Sequence, residues 1–131
     1  DIAILTLGNM VEQALEGSRL LEGDGLRVAV VNMRFARPLD RELLVQLAGK
    51  YRYFFTLEDH VLTGGFGSKV LEFFERERLP EVRLRRIALP DQFTEHGTRD
   101  FLLDKYGLSG AKVRETILRE IEIRDPEGVL H

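Results

Sequence analysis

The stretch Tyr53-Phe54-Phe55-Thr56-Leu57-Glu58-Asp59-His60-Val61-Leu62-Thr63-Gly64-Gly65-Phe66-Gly67 decides the fold. Its first five residues are a hydrophobic run that stops at two carboxylates and a histidine, after which glycines lead into a segment with helical spacing. The reading is a strand, a loop and the start of a helix. In open α/β sheets the carboxyl ends of strands and the loops after them form the working edge, so Glu58, Asp59 and His60 mark where a site is sought first. Gly64, Gly65 and Gly67 have a local reason: a sharp strand-to-helix turn needs a positive φ or a close backbone approach, and glycine supplies both cheaply. A functional reading gives the N–H groups of the helix start an anion to hold, either a phosphate or a neighbouring carboxylate. The spacing is neither a P-loop nor a GxGxxG fingerprint.

Working outward, Ile2 to Leu7 is a nearly continuous apolar run that reads as a strand buried on both faces. Asn9 is placed to cap the next helix, whose stripe of Val11, Ala14, Leu15, Ser18 and Leu21 faces the sheet while Glu12 and Glu16 face water. Gly23-Asp24-Gly25 stops that helix. Val28 to Val31 reads as a second buried strand. Asp40 then caps a helix carrying Leu43, Leu44, Leu47 and Ala48 inward, Gly49 ends it, and Tyr51 to Leu57 is the third strand. Beyond the glycines a helix from about Ser68 turns Val70, Leu71 and Phe74 inward until Pro80 breaks it. Val82 to Leu89 is the fourth strand. Thr98 caps a short helix using Phe101, Leu102 and Tyr106 with Gly107 as its C-cap. Ser109 opens the last helix, with Val113, Ile117 and Ile121 in one row and an ion pair from Glu115 to Arg119. Strands alternating with helices through four repeats predict right-handed crossovers. The expected architecture is a three-layer α/β/α sandwich with a mostly parallel sheet of four or five strands over residues 1–124, followed by a flexible tail at 125–131.

A chain of 131 residues fits one domain with a genuine core. With 44% hydrophobic and 31% charged residues it has the composition of an ordinary globular protein. Nineteen Lys and Arg against 22 Asp and Glu leave a net charge of −3, so no global field draws it to nucleic acid or an anionic membrane. Cysteine is absent, which removes disulfides and thiolate chemistry from this chain and fits a reducing compartment. No apolar run approaches the roughly 20 residues needed to span a bilayer, and the expected location is the cytoplasm. An opening at Asp1, flush with a strand, is expected of a piece cut from something larger.

A second polar group, Asp91, Glu95 and His96, follows the fourth strand, and in a parallel sheet it shares an edge with Glu58, Asp59 and His60. A histidine beside carboxylates can act as a general acid or base near neutral pH, or simply satisfy loop carbonyls or bridge to a neighbouring subunit. A metal site would need both histidines and the adjacent carboxylates without any HExxH-type spacing to hold them. Arg83, Arg85 and Arg86 read as solvated ion-pairing groups. No GxSxG elbow offers a nucleophile. From the residues alone the chain is an α/β domain with a polar loop edge, which also suits a stand-alone module binding an anion or a protein.

Several segments taken together resemble the C-terminal domain of the transketolase superfamily. Asp1-Ile2-Ala3-Ile4-Leu5 leading to Gly8-Asn9-Met10, then Val30-Val31-Asn32-Met33-Arg34-Phe35, Arg37-Pro38-Leu39-Asp40 and Leu57-Glu58-Asp59-His60, fit a pattern shared with transketolases and the β subunits of 2-oxoacid dehydrogenases. Val61 to Ser68 and Leu89-Pro90-Asp91-Gln92-Phe93-Thr94-Glu95-His96-Gly97 are similar to the 1-deoxy-D-xylulose-5-phosphate synthase family in particular. The resemblance implies an enzyme that joins pyruvate to glyceraldehyde 3-phosphate with loss of carbon dioxide, at the head of isoprenoid precursor and thiamine synthesis. It further implies thiamine diphosphate and magnesium in the full-length enzyme, held by two preceding domains, with none expected in this chain alone. This domain would then help build a homodimer and wall the approach to the active site, without activity by itself. On that reading Glu58, Asp59, His60, Gly64, Gly65, Gly67, Asp91 and His96 are interface or active-site-edge candidates, not catalysts. The family also implies an antiparallel strand just before Asp1, whose loss would leave a sheet edge open to pairing.

Overall fold

The structure, a computed structural model, describes residues 2–7, 10–33, 41–58, 66–77, 83–88 and 99–124. Four strands, β1 (Ile2–Thr6), β2 (Val28–Asn32), β3 (Tyr53–Glu58) and β4 (Arg83–Ala88), form one sheet in the order β2-β1-β3-β4. Every pairing is parallel, with Ile2 beside Val28 and Tyr53, and Tyr53 beside Arg83. The helices are α1 (Val11–Gly23), α2 (Arg41–Ala48), α3 (Phe66–Arg76), α4 (Arg99–Lys105) and α5 (Gly110–Arg124). The alternation of apolar strands and amphipathic helices thus produces the expected doubly covered parallel sheet.

Side chains alternate across a strand, and the two cores follow that alternation. Ile2, Ile4, Tyr53, Phe55, Leu57 and Ile87 point to the face covered by α1, α4 and α5, where Ala14, Leu21, Leu103, Val113, Ile117 and Ile121 meet them. Ala3, Leu5 and Phe54 point to the opposite face, against Leu44 and Leu47 of α2 and Val70, Phe73 and Phe74 of α3. Each Leu, Ile or Phe fully buried in these layers contributes about 1.5–3 kcal/mol. The continuous apolar run of β1 is explained by its place between two neighbours with helices on both faces. β2 departs from expectation, since it is half-buried and not fully buried, because it is the outer strand of the described sheet.

Helix ends follow their local chemistry in most places. Gly25 and Gly107 have φ of +89° and +82°, the left-handed region that glycine enters without a Cβ penalty. At both, the next residue donates back five positions, Leu26 N–H to Leu21 O at 3.2 Å and Leu108 N–H to Leu103 O at 2.7 Å. The glycines themselves donate to Glu22 O and Asp104 O, completing two Schellman ends whose leucines are all buried. Ser109 caps α5, its Oγ accepting from Lys112 N–H at 3.3 Å. The cap of α1 is Met10, which makes no side-chain cap bond and donates its own N–H to Leu7 O; Asn9 lies outside the described residues, as do Asp40, Pro80 and Thr98.

Three inward assignments are corrected. Leu15 is 53% exposed, because the buried face of α1 centres on Gly17, where α5 packs through Val113. Leu71 is 38% exposed, and the inward aromatic beside Phe74 is Phe73. Phe101 is 57% exposed, and Leu103 takes the core position of α4. Glu115 reaches back one turn to Lys112 at 3.8 Å, in place of Arg119. The third helix starts at Phe66, so Gly67 belongs to its first turn and not to the preceding turn.

Candidate functional site

The order β2-β1-β3-β4 contains one reversal. The chain steps from β1 outward to β2, then crosses back over β1 to β3 and β4, with α1 on one face and α2 and α3 on the other. The carboxyl ends of β1 and β3 therefore form the switch point where open α/β sheets place their ligands. Thr6 and Leu57 face each other there, and Thr6 Oγ1 donates to Leu57 O at 3.1 Å. Met33 N–H donates to Thr6 O at 2.7 Å, tying the end of β2 to the same edge.

Glu58 follows Leu57 as the last residue of β3 and is fully buried. Its Oε2 accepts the Gly67 N–H at 3.1 Å. The orientation of α3 makes that bond possible: Phe74 near the helix end stacks edge-on against Phe54 near the strand start, with ring centroids 5.0 Å apart. α3 thus runs antiparallel to β3, with its N–H-bearing end at the carboxyl edge of the sheet. A carboxylate is favoured at a helix N-terminus by the unpaired amides and the helix dipole. A neighbouring carboxylate, one of the two anions such a helix start could hold, is in place here.

Of the eight candidate residues, the structure brings together Glu58 and Gly67. Asp59, His60, Gly64, Gly65, Asp91 and His96 lie outside the described residues, as do Glu95 and the tail from Asp125. The strands preceding these segments do end at one edge, since Glu58 pairs with Ala88 in the parallel ladder. Sequence reasoning missed the two threonines of this region. Thr6 and Thr56 are both fully buried, and the signal was a hydroxyl interrupting an otherwise apolar strand.

A charged pair sits at the opposite end of the sheet. Arg114 Nε donates to Asp24 Oδ2 at 2.7 Å and its terminal nitrogen to Oδ1 at 2.9 Å, a two-point clamp between the end of α1 and the start of α5. These hydrogen bonds, with the guanidinium charge, hold the Asp24 carboxyl below its ordinary range and raise Arg114. The clamp joins two helices and lies away from the switch point. Among the described residues no three His, Asp or Glu side chains gather where a metal ion could sit. Among those residues, too, no helix is long and apolar enough to cross a membrane.

Comparison with known proteins decides the family. The model of the transketolase C-terminal domain matches residues 1–113. This chain belongs to the transketolase C-terminal domain family. Curated members similar to it include the 1-deoxy-D-xylulose-5-phosphate synthase of Heliobacterium modesticaldum, 42% identical over 125 residues, which are 95% of this chain and 19% of that protein. The synthase of Aquifex aeolicus is 42% identical over 117 residues, 89% of this chain and 18% of that protein. The chain therefore spans about a fifth of the curated relatives it matches. Among solved structures, a split-gene transketolase described as an inactive β4 tetramer superposes with a TM-score of 0.78 at 33% identity, over 91% of this chain and 38% of that one. The likeness extends over nearly the whole chain, including the parallel sheet and the helices described above.

Proposed function

We propose that this transketolase C-terminal domain is the C-terminal part of a thiamine-diphosphate-dependent 1-deoxy-D-xylulose-5-phosphate synthase. The observation that carries the reading is its 42% identity to two such synthases across nearly its whole length. The parent enzyme would join pyruvate to glyceraldehyde 3-phosphate with release of carbon dioxide, in the cytoplasm. Its thiamine diphosphate and magnesium would be held by two preceding domains. This domain contributes structure: it packs on those domains, helps form a homodimer and walls the approach to the active site. Glu58, Asp59, His60, Gly64, Gly65, Gly67, Asp91 and His96 are its candidates for the interface or active-site edge. The burial of Glu58 and its commitment to a backbone amide support a structural role for it over proton transfer.

The test is calorimetric titration of thiamine diphosphate with magnesium into this chain, beside an assay of the chain with pyruvate and glyceraldehyde 3-phosphate. No saturable binding and no turnover are expected. Saturable binding would place the cofactor site in this domain and overturn the accessory reading.

A further inference from the structure

A helix that starts at the switch point of a sheet like this one presents unpaired amides at the place where such folds take up anions. Here the place is filled from within. Glu58 is 0% exposed, and its Oε2 lies 3.1 Å from the Gly67 nitrogen in the first turn of α3. That first turn carries no acidic residue of its own, so the carboxylate at the helix start comes from the strand. α3 is an 11-residue helix whose far end is fixed by Phe73 and Phe74 in the core, so its start cannot slide away from Glu58 without unpacking them. The bond also joins residues nine positions apart, at the two ends of the segment that carries Asp59, His60, Gly64 and Gly65.

We propose that Glu58 is a positioning residue: a built-in anion that ties the end of β3 to the start of α3 and occupies the helix start that a free anion would otherwise take. The chemical class recognised there is a small carboxylate, supplied by Glu58 itself in the native chain and replaceable by formate once the side chain is removed. Glu58 would have this role whichever reaction the parent enzyme performs.

The experiment compares the native chain with Glu58→Ala and Glu58→Gln by amide hydrogen exchange, read residue by residue in NMR spectra, with formate as the added anion. Loss of a charge-assisted bond predicts Gly67 exchange roughly ten- to a hundredfold faster in Glu58→Ala. Added formate restores the protection along a saturable curve, while the Gly67 amide of the native chain does not respond to it. Unchanged Gly67 exchange in a folded Glu58→Ala chain, or a loss that formate leaves untouched, overturns the proposal. Should Glu58→Ala fail to fold, Glu58→Gln decides, because its amide oxygen keeps the shape and an acceptor without the charge. Gly67 exchange about tenfold faster, with the Val113 amide in the opposite layer unchanged, then supports a local role. Uniform acceleration through the chain, or none at Gly67, contradicts it.

Discussion

Thr6 and Thr56 are buried to the same degree on neighbouring strands, but their hydroxyls have different fates. Thr6 Oγ1 bonds Leu57 O, whereas Thr56 Oγ1 has no partner in the described structure. A buried hydrogen bond contributes about 1 kcal/mol net, while an unpartnered buried hydroxyl carries a desolvation cost of similar size. Thr6→Val is therefore expected to lower unfolding stability by about 1 kcal/mol, and Thr56→Val to leave it unchanged or raise it by up to about 1 kcal/mol, both read from urea denaturation. The Asp24 to Arg114 clamp makes a pH prediction. Because the folded carboxyl lies below its unfolded value of 3.8, its contribution is present above that pH and is lost as pH falls through the folded pKa. Asp24→Asn should thus cost stability at neutral pH and progressively less in acid, and Arg114→Leu should return the Asp24 carboxyl toward 3.8 in an NMR titration. At this scale the sequence was only partly legible. The spacing from Glu58 to Gly67 pointed to an anion at a helix start, but it could not say that the anion would be Glu58 itself, because that depends on the direction in which α3 lies over β3.

Among the elements, α1 and α5 approach most closely where both carry glycine. A Cβ built on Gly17 would stand 3.2 Å from Val113 Cγ1, and one on Gly110 would stand 2.6 Å from Glu16 Cβ. Neither neighbour can give way easily, since Val113 is fully buried and the Glu16 Cβ is fixed by its own helix. Gly110→Ala is expected to destabilise the domain by about 1–3 kcal/mol through overpacking, despite the better helix propensity of alanine. Ile117→Ala, in the same pair of helices, should cost about 2–5 kcal/mol by opening a cavity beneath the sheet. Denaturation midpoints of the two variants check both. The row of Val113, Ile117 and Ile121 was legible because its partner is the sheet, which an apolar stripe faces wherever it lies. Leu15, Leu71 and Phe101 were misread because the orientation of a short helix is set by its neighbours, and glycine contacts such as Gly17 with Val113 leave no hydrophobic signal. β2 was misread for a related reason, since four apolar residues do not reveal whether a strand is central or at the edge.

For the molecule as a whole, the alternation of strands and helices was enough to establish a parallel sheet between two helical layers. The strand order was not legible in that alternation, and it is the order that creates the switch point between β1 and β3. The family match covers residues 1–113 and ties this framework to transketolase C-terminal domains, while the identity to synthases narrows the proposed parent. A chimera tests that claim most directly: the C-terminal fifth of the Heliobacterium modesticaldum synthase, matched by this chain over 125 residues, is replaced by this sequence. The chimera is expected to convert pyruvate and glyceraldehyde 3-phosphate with kcat/KM within about tenfold of the parent, a loss of no more than about 1.4 kcal/mol in transition-state stabilisation. A chimera that folds, assembles and binds thiamine diphosphate as the parent does but makes no deoxyxylulose phosphate would contradict the assignment to a synthase.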